Sequence, residues 1–448
     1  MDGIKRRSMT EVGIVDRRTI VRTTAAGIAA AALSAVARPL SGAYAQEATP
    51  IASPQAGNGV PAATPVVEED TPAPTASGQQ FAYVGSDSRT AISEGADPAE
   101  VGISVFAVDP ETGELTLIQT VPSDNPFYFA FHPSGQFLYA VNVIGDYEGT
   151  ESGSVEAYAI DPETGMLSFI NRQSSGGSTA AQPAVDPSGN YLVVANYNGA
   201  NLAVLPINQD GSLEPVISTF EQSGSGPNEA RQEMPHPHAV VYDPAGNFLA
   251  AADLGTDEVL IFALDQDTGV LEQVSVASTA AGAGPRHVAF NAEGTILYVV
   301  NELDATITVF AYDAATGTIG EELQTISTVV EPFEGTKSTA EILIHPSGLF
   351  LYNSNRGQPD STTPEGDAIV EFAIDPNSGL LTLIGHTTEG IAVPWSFDTD
   401  ASGSWLYSAN YADDSITRYA IDQDTGELTF TGESTAVPKP FVIQLSNP

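Results

Sequence analysis

His236, His238 and His287, with Arg286, Arg356, Glu302 and Glu341, are the side chains of this 448-residue chain best suited to acid–base work on an anion. An imidazole takes and returns a proton near neutral pH, and guanidiniums hold a carboxylate or a developing oxyanion. They come in short runs: Met234-Pro235-His236-Pro237-His238-Ala239, Pro285-Arg286-His287, Asn301-Glu302 and Asn355-Arg356. His236 and His238 are two apart, so on an extended segment both could face one side and share a metal. No third ligand is evident, however, and no cofactor is expected. The chain has no G-x-S-x-G elbow, which disfavours a serine hydrolase, and no cysteine, which removes thiol nucleophiles, thiolate metal sites and disulfides.

Cations are informative here because they are scarce: 15 Lys/Arg face 57 Asp/Glu, a net charge of −42. The first 45 residues hold seven of those cations and three of the acids, so the remainder carries eight cations against 54 acids. Nucleic acid and anionic membrane are poor partners for such a surface.

The elements that must position these groups are repeated. The turn D-x-x-x-G-x-(L/I) occurs at Asp109–Gly113, Asp161–Gly165, Asp265–Gly269, Asp313–Gly317, Asp375–Gly379 and Asp422–Gly426, with a shortened copy at Asn208–Gly211. Its glycines fall 46 to 62 residues apart, the period of a four-stranded propeller blade. An Asp or Asn that bonds its own backbone, followed by a glycine free to take positive φ, makes a tight hairpin. Each copy follows an alternating run such as Ile103-Ser104-Val105-Phe106-Ala107-Val108, a half-buried strand. Interleaved are six P-S-G-like turns, among them His132-Pro133-Ser134-Gly135 and His345-Pro346-Ser347-Gly348. The spacing predicts an all-β, seven-bladed propeller of four antiparallel strands per blade over residues 80–448. The strand at Phe81–Gly85 and that at Pro440–Leu445 pair to close the ring and remove the open edges.

Residues 1–79 differ. Arg17-Arg18, an alanine-rich run from Ala25 to Ala37 and Ala43-Tyr44-Ala45 describe a twin-arginine export signal over 1–45, cut after Ala45. The apolar run is too brief to span a bilayer, so no membrane insertion is expected after its removal. The Pro/Ala/Thr-rich stretch 46–79 reads as a disordered linker. A periplasmic or extracellular monomer is expected.

In such a blade the loops that enter strand A and leave strand B share one face of the ring. Seven of the eight cations, all but Arg418, map to that face, including Arg231, Lys337 and Lys439. So do His236, His238 and His287, with Asp253 and Glu302 after strand B and Glu341 opening a strand A. His132 and His345 belong to turns on the opposite face. A locally positive mouth over the central channel would suit a small anionic or sugar-like ligand. The placement further predicts that Arg286 is a rim residue, replaceable without harm to the fold.

Met234–Ala239, Asp253-Leu254-Gly255-Thr256-Asp257, Gly282-Ala283-Gly284-Pro285-Arg286-His287, Asn301-Glu302-Leu303 and Ser354-Asn355-Arg356-Gly357, in this order, resemble the lactonase propeller family. That family contains the propeller-type 6-phosphogluconolactonases and the fungal carboxymuconate cyclases. The resemblance covers the whole propeller and implies catalytic roles for His238, Glu302, Arg286 and Arg356. His236, His287, Glu341, Trp395 and Lys439 would then contact substrate. One motif departs from the family: its P-R-x-F entry is Pro394-Trp395-Ser396-Phe397 here, an indole that stacks on a ring but cannot clamp a phosphate.

Three functions follow from these residues. The first is hydrolysis of a sugar lactone, the arginines holding the oxyanion while His238 or Glu302 activates water. The second is lactonising cycloisomerisation of a muconate-type diacid. The third is ligand binding without chemistry, since strands such as Leu297-Tyr298-Val299-Val300-Asn301 also resemble the Y-V-T-N repeats of surface proteins. Export weighs against a strictly phosphorylated substrate, which is a cytoplasmic metabolite.

Overall fold

A computed structural model of the chain describes residues 79–358 and 366–446. The export signal and all of the linker but its last residue lie outside the described residues. Seven four-stranded antiparallel sheets follow one another, each running from its first strand to its fourth in chain order. Their first strands, Pro126–Phe131, Ala180–Val185, Pro237–Tyr242, Pro285–Phe290, Thr339–Ile344, Pro394–Thr399 and Pro440–Leu445, touch one another in sequence and form the inner wall of a ring. We number the blades 1 to 7 in that order. Blade 7 is composite: Pro440–Leu445 pairs with Phe81–Ser86, whose partners Gly102–Val108 and Leu115–Pro122 complete the sheet. The ring is thus closed by the two ends of the chain.

The seven DxxxG turns close the third and fourth strands of the blades. In blade 7, Asp109 Oδ1 accepts from the amides of Glu111 and Thr112, and Gly113, at φ 71°, donates its own amide to the Asp109 carbonyl. The core follows the repeat: seven apolar clusters fill the seven interfaces between neighbouring blades. An eighth is different in kind. Phe127, Ala181 and Phe441 come from three inner strands and meet at one end of the channel. A short helix, Ser88–Ser93, which the repeat does not announce, follows the second strand of blade 7 and is capped by the Asp87 carboxylate on the Thr90 amide.

Candidate active site

One local irregularity builds the site seven times over. In every blade the ladder between the first and second strands gains an extra residue at the start of the first strand. Five of the seven first strands begin with proline, which donates nothing to the ladder there. The residue after it falls out of register, as β-bulges near binding sites do to re-aim a side chain. These residues are Phe127, Ala181, His238, Arg286, Ala340, Trp395 and Phe441. Thr179 and Val393, just before two of the bulged strands, are β-branched residues held in the left-handed region, at φ 61° and 53°. Such a conformation costs on the order of 1–3 kcal/mol and persists only where the surroundings impose it.

The bulged residues of five blades line a cavity of about 410 Å³. One side is apolar: Phe127, Val143, Ala181, Trp395 and Phe441, with ring centroids 5.1 to 5.8 Å apart among the three aromatics. The other carries Arg231, His238, Glu302 and Arg356, with Tyr197 between the two sides. Two further depressions, of about 460 and 490 Å³, surround Arg418 and Arg89, whose guanidiniums are paired with Glu433 and with Asp124 and Asp146. Neither contains a histidine.

Three arginines, from the loop into blade 3, the first strand of blade 4 and the loop after the second strand of blade 5, converge on the Glu302 carboxylate. Arg231 Nη2 lies 2.7 Å from Oε1, while Arg286 Nε and Arg356 Nη2 lie 3.2 and 3.1 Å from Oε2. Burial alone would raise the Glu302 carboxyl, but Arg356, Arg231 and Arg286 outweigh it and hold it down to about 2. Burial presses Arg356 down to about 10, so it stays cationic at neutral pH, and its guanidinium stacks 4.3 Å over the Trp395 ring. Arg286 is also pressed down by burial, against the pull of Glu302 and Glu341. Arg286 is only 2% exposed: it is a buried strut, not the dispensable rim residue expected from its position in the repeat.

His238 is buried against Phe127, Tyr197 and His287. Burial first, then Arg286, His287 and Arg356, pushes its pKa well below the ordinary histidine value of 6.5, so the ring is neutral. Its Nδ1 has no partner. Nor do Arg286 Nε, Arg356 Nε and Trp395 Nε1, the first of these close enough to Glu302 for a charge pair but off the line of a hydrogen bond. Of these four residues His238, Arg356 and Trp395 line the cavity and can each offer a polar atom to a ligand, whereas Arg286 lies outside the lining, on the Glu302 carboxylate.

The remaining candidates are placed outside this lining. His236 stacks on Tyr197 with centroids 4.3 Å apart, and its Nδ1 lies 3.0 Å from the Tyr197 carbonyl, so it braces a wall. Both imidazoles of the His-Pro-His run pack on Tyr197, but only His238 lines the cavity. Asp253 accepts the amides of His236, Gly255 and Thr256 and shapes that entry. His287 and Glu341 pair with each other, 2.7 Å apart, in the layer beside Arg286. Lys439 is drawn to Glu94 and Asp414, 3.2 and 3.3 Å away, and does not line the cavity. Conversely, Arg231 lines the cavity although only its loop position singled it out, and Phe127 and Phe441 carried no sequence signal beyond opening a strand.

Residues 81–445 match the family described as Lactonase, 7-bladed beta-propeller. The 6-phosphogluconolactonase of Bacillus subtilis (strain 168) is 31% identical over 310 residues, covering 69% of this chain and 84% of its own. That of Pectobacterium carotovorum subsp. carotovorum (strain PC1) is 33% identical over 341 residues, covering 74% and 88%. Among solved structures, the periplasmic gluconolactonase of Pseudomonas aeruginosa matches with a TM-score of 0.73 at 29% identity, over 83% of this chain and 100% of its own.

Proposed function

The chain belongs to the lactonase family of seven-bladed β-propellers, and from that premise we propose that it hydrolyses an unphosphorylated sugar lactone in the cavity around His238. The observation that carries this is the cavity lining, which sets the neutral imidazole of His238 facing the same space as the Arg356 guanidinium and the Trp395 indole. His238 takes a proton from water, whose oxygen forms a bond to the lactone carbonyl carbon. Arg356 stabilises the oxyanion that develops on the carbonyl oxygen, with Arg286 held behind it on the shared Glu302 carboxylate. The acyl–oxygen bond of the ring then breaks, and the imidazolium returns its proton to the leaving ring oxygen, releasing the open hydroxy acid. Glu302 takes no proton in this scheme. With its carboxyl held near 2 it is neither a general acid nor an effective base, and it serves as the counter-ion that gathers the three arginines.

Two features favour a substrate without a phosphate. All three arginines are committed to Glu302, and only Arg231 is solvent-accessible, its side chain 42% exposed. Trp395 offers a flat face and one N–H, which suit the C–H face and a hydroxyl of a sugar ring. The relatives named 6-phosphogluconolactonase and the periplasmic gluconolactonase bracket the choice. Export through paired Arg17-Arg18 agrees with the unphosphorylated alternative, and among the described residues no helix is long and apolar enough to cross a membrane.

The test is initial-rate hydrolysis of glucono-δ-lactone, its 6-phosphate and a muconate diacid by protein beginning at Gln46. The unphosphorylated lactone should give the highest kcat/KM. A higher value for the phosphate would overturn the substrate choice. Lactonisation of muconate without lactone hydrolysis would point to the cycloisomerase instead, and no turnover at all to a binding propeller.

A further inference from the structure

We infer that Tyr128 is a positioning residue for Arg286, acting across the central channel through Glu341 and His287. These four residues come from three blades: Tyr128 from blade 1, Arg286 and His287 from blade 4, and Glu341 from blade 5. Tyr128 Oη donates to Glu341 Oε2 at 3.1 Å, a bond that spans the channel rather than one blade interface. Glu341 Oε1 lies 2.7 Å from His287 Nδ1 and also accepts the Ile342 amide at 3.1 Å. His287 Nε2 lies 3.1 Å from Arg286 Nη1, which donates in addition to the Ala340 carbonyl at 2.8 Å.

The protons in this chain have one consistent order. A guanidinium has no lone pair to offer, so His287 Nε2 can only accept from Arg286. Its proton therefore sits on Nδ1 and is donated to Glu341, which as a carboxylate accepts from both His287 and Tyr128. Burial, Glu341 and Asp398 push the Tyr128 phenol far above its ordinary pKa, so it remains a donor. Burial likewise keeps His287 neutral, aided by Arg286 and Arg356 and opposed by Glu341. The result is that Arg286 Nη1 is fully engaged by two fixed acceptors. The guanidinium plane cannot rotate, and its Nε is left beside Glu302, whose carboxylate lines the cavity. Tyr128 also packs edge-on to the His287 ring at 5.5 Å, so it fixes the tilt of the imidazole whose tautomer Arg286 dictates.

This rests on the lactonase reading for its kinetic consequence but not for its structural one, and the experiment separates the two. Tyr128→Phe keeps the ring and deletes one oxygen. Its kcat on the best lactone should fall roughly tenfold to a hundredfold with KM nearly unchanged, since misplacing an orienting group by about 1 Å costs up to about 10²-fold. In an Arg286→Lys background the same substitution should cost almost nothing more, because an ammonium has no plane to orient. In ¹⁵N-labelled protein, His287 should be the neutral Nδ1–H tautomer in the wild type and gain imidazolium in Tyr128→Phe, because Glu341 loses a donor and draws a proton more strongly. Unchanged kcat, or losses that add in the double variant, would overturn the inference. An unaltered His287 protonation state would overturn it even if no lactone were turned over, an outcome that by itself would count only against the hydrolase.

Discussion

At the scale of single residues, the ionisation state of His238 is the most consequential feature. A base that must be neutral to act, and whose pKa lies well below 6.5, is already competent throughout the neutral range. The profile of kcat/KM against pH should therefore be flat from about pH 8 to about 6.5 and fall only on further acidification, as His238 takes up its proton. An acidic limb centred at or above 6.5 would show that burial and the arginines do not depress this histidine, and another base would be needed. His238→Asn should lower kcat by about 10²–10⁴-fold, the usual contribution of a positioned general base, and abolish the limb. The residue types of this site were legible in the sequence because cations are so rare that their clustering carried weight. What was not legible was their division of labour. Glu302 reads as a possible proton donor until three arginines are seen on it, and Lys439 reads as a ligand contact until Glu94 and Asp414 are seen to hold it.

At the scale of elements, the repeat announced the blades and their closure, because turn chemistry and strand alternation are local. The devices that lock blades together are not local. In five of the seven blades, a tyrosine three residues before the end of the second strand or its equivalent reaches into the next blade: Tyr83, Tyr139, Tyr298, Tyr352 and Tyr407. Their hydroxyls donate to the carbonyls of Gly165, Gly211, Gly379, Gly426 and Gly113, the glycines of the DxxxG turns. Val193 and Ala250 occupy the corresponding places in blades 2 and 3. The same turn thus closes one blade and receives its neighbour, which its sequence does not reveal. Tyr298→Phe should cost about 1 kcal/mol of unfolding free energy, the net worth of one buried hydrogen bond, without changing activity. Tyr83→Phe in another interface should add to it within about 0.5 kcal/mol, as distant sites do. Denaturant titrations of the two single variants and the double read this directly. A neutral Tyr298→Phe would mean that the ring packing alone holds the interface. The bulge at the start of each first strand escaped the pattern for a related reason. A strand-opening residue, proline in five blades, followed by Phe, Ala, His, Arg or Trp has no common periodicity, and only the ladder register reveals the seven as one device.

For the whole molecule, a net charge of −42 is evident from composition, but which acids are buried is not. Asp398 and Glu371 are pushed up to about 7 and Asp253 to about 6, chiefly by burial. A carboxyl raised in this way keeps a proton in the folded state that the unfolded chain releases. Its contribution to stability is full below the unfolded value near 4 and is lost as pH rises through the folded value. Lowering pH from about 8 to about 6.5 should thus stabilise the propeller by about 1 kcal/mol each for Asp398 and Glu371, raising Tm by a few degrees. Below 6.5 the trend must weaken, because His238 and His287 are held neutral when folded while the unfolded chain protonates them. Below about 4.5 it must reverse, as the unfolded chain protonates the glutamate that Glu302, held near 2, keeps ionised when folded. Repulsion among the surface acids is nearly constant above pH 6.5, because exposed carboxyls are ionised throughout that range, so it sets the level of stability and not its slope with pH. Added salt screens the surface charges, which sit within a Debye length of about 10 Å of one another's counter-ions at 0.1 M, but hardly reaches a buried carboxyl. Asp398→Asn should therefore reduce the rise in Tm between pH 8 and 6.5 and leave the salt-induced rise intact. If the variant keeps the full pH slope, Asp398 is ionised in the fold despite its burial, and the slope belongs to Glu371 or another buried carboxyl.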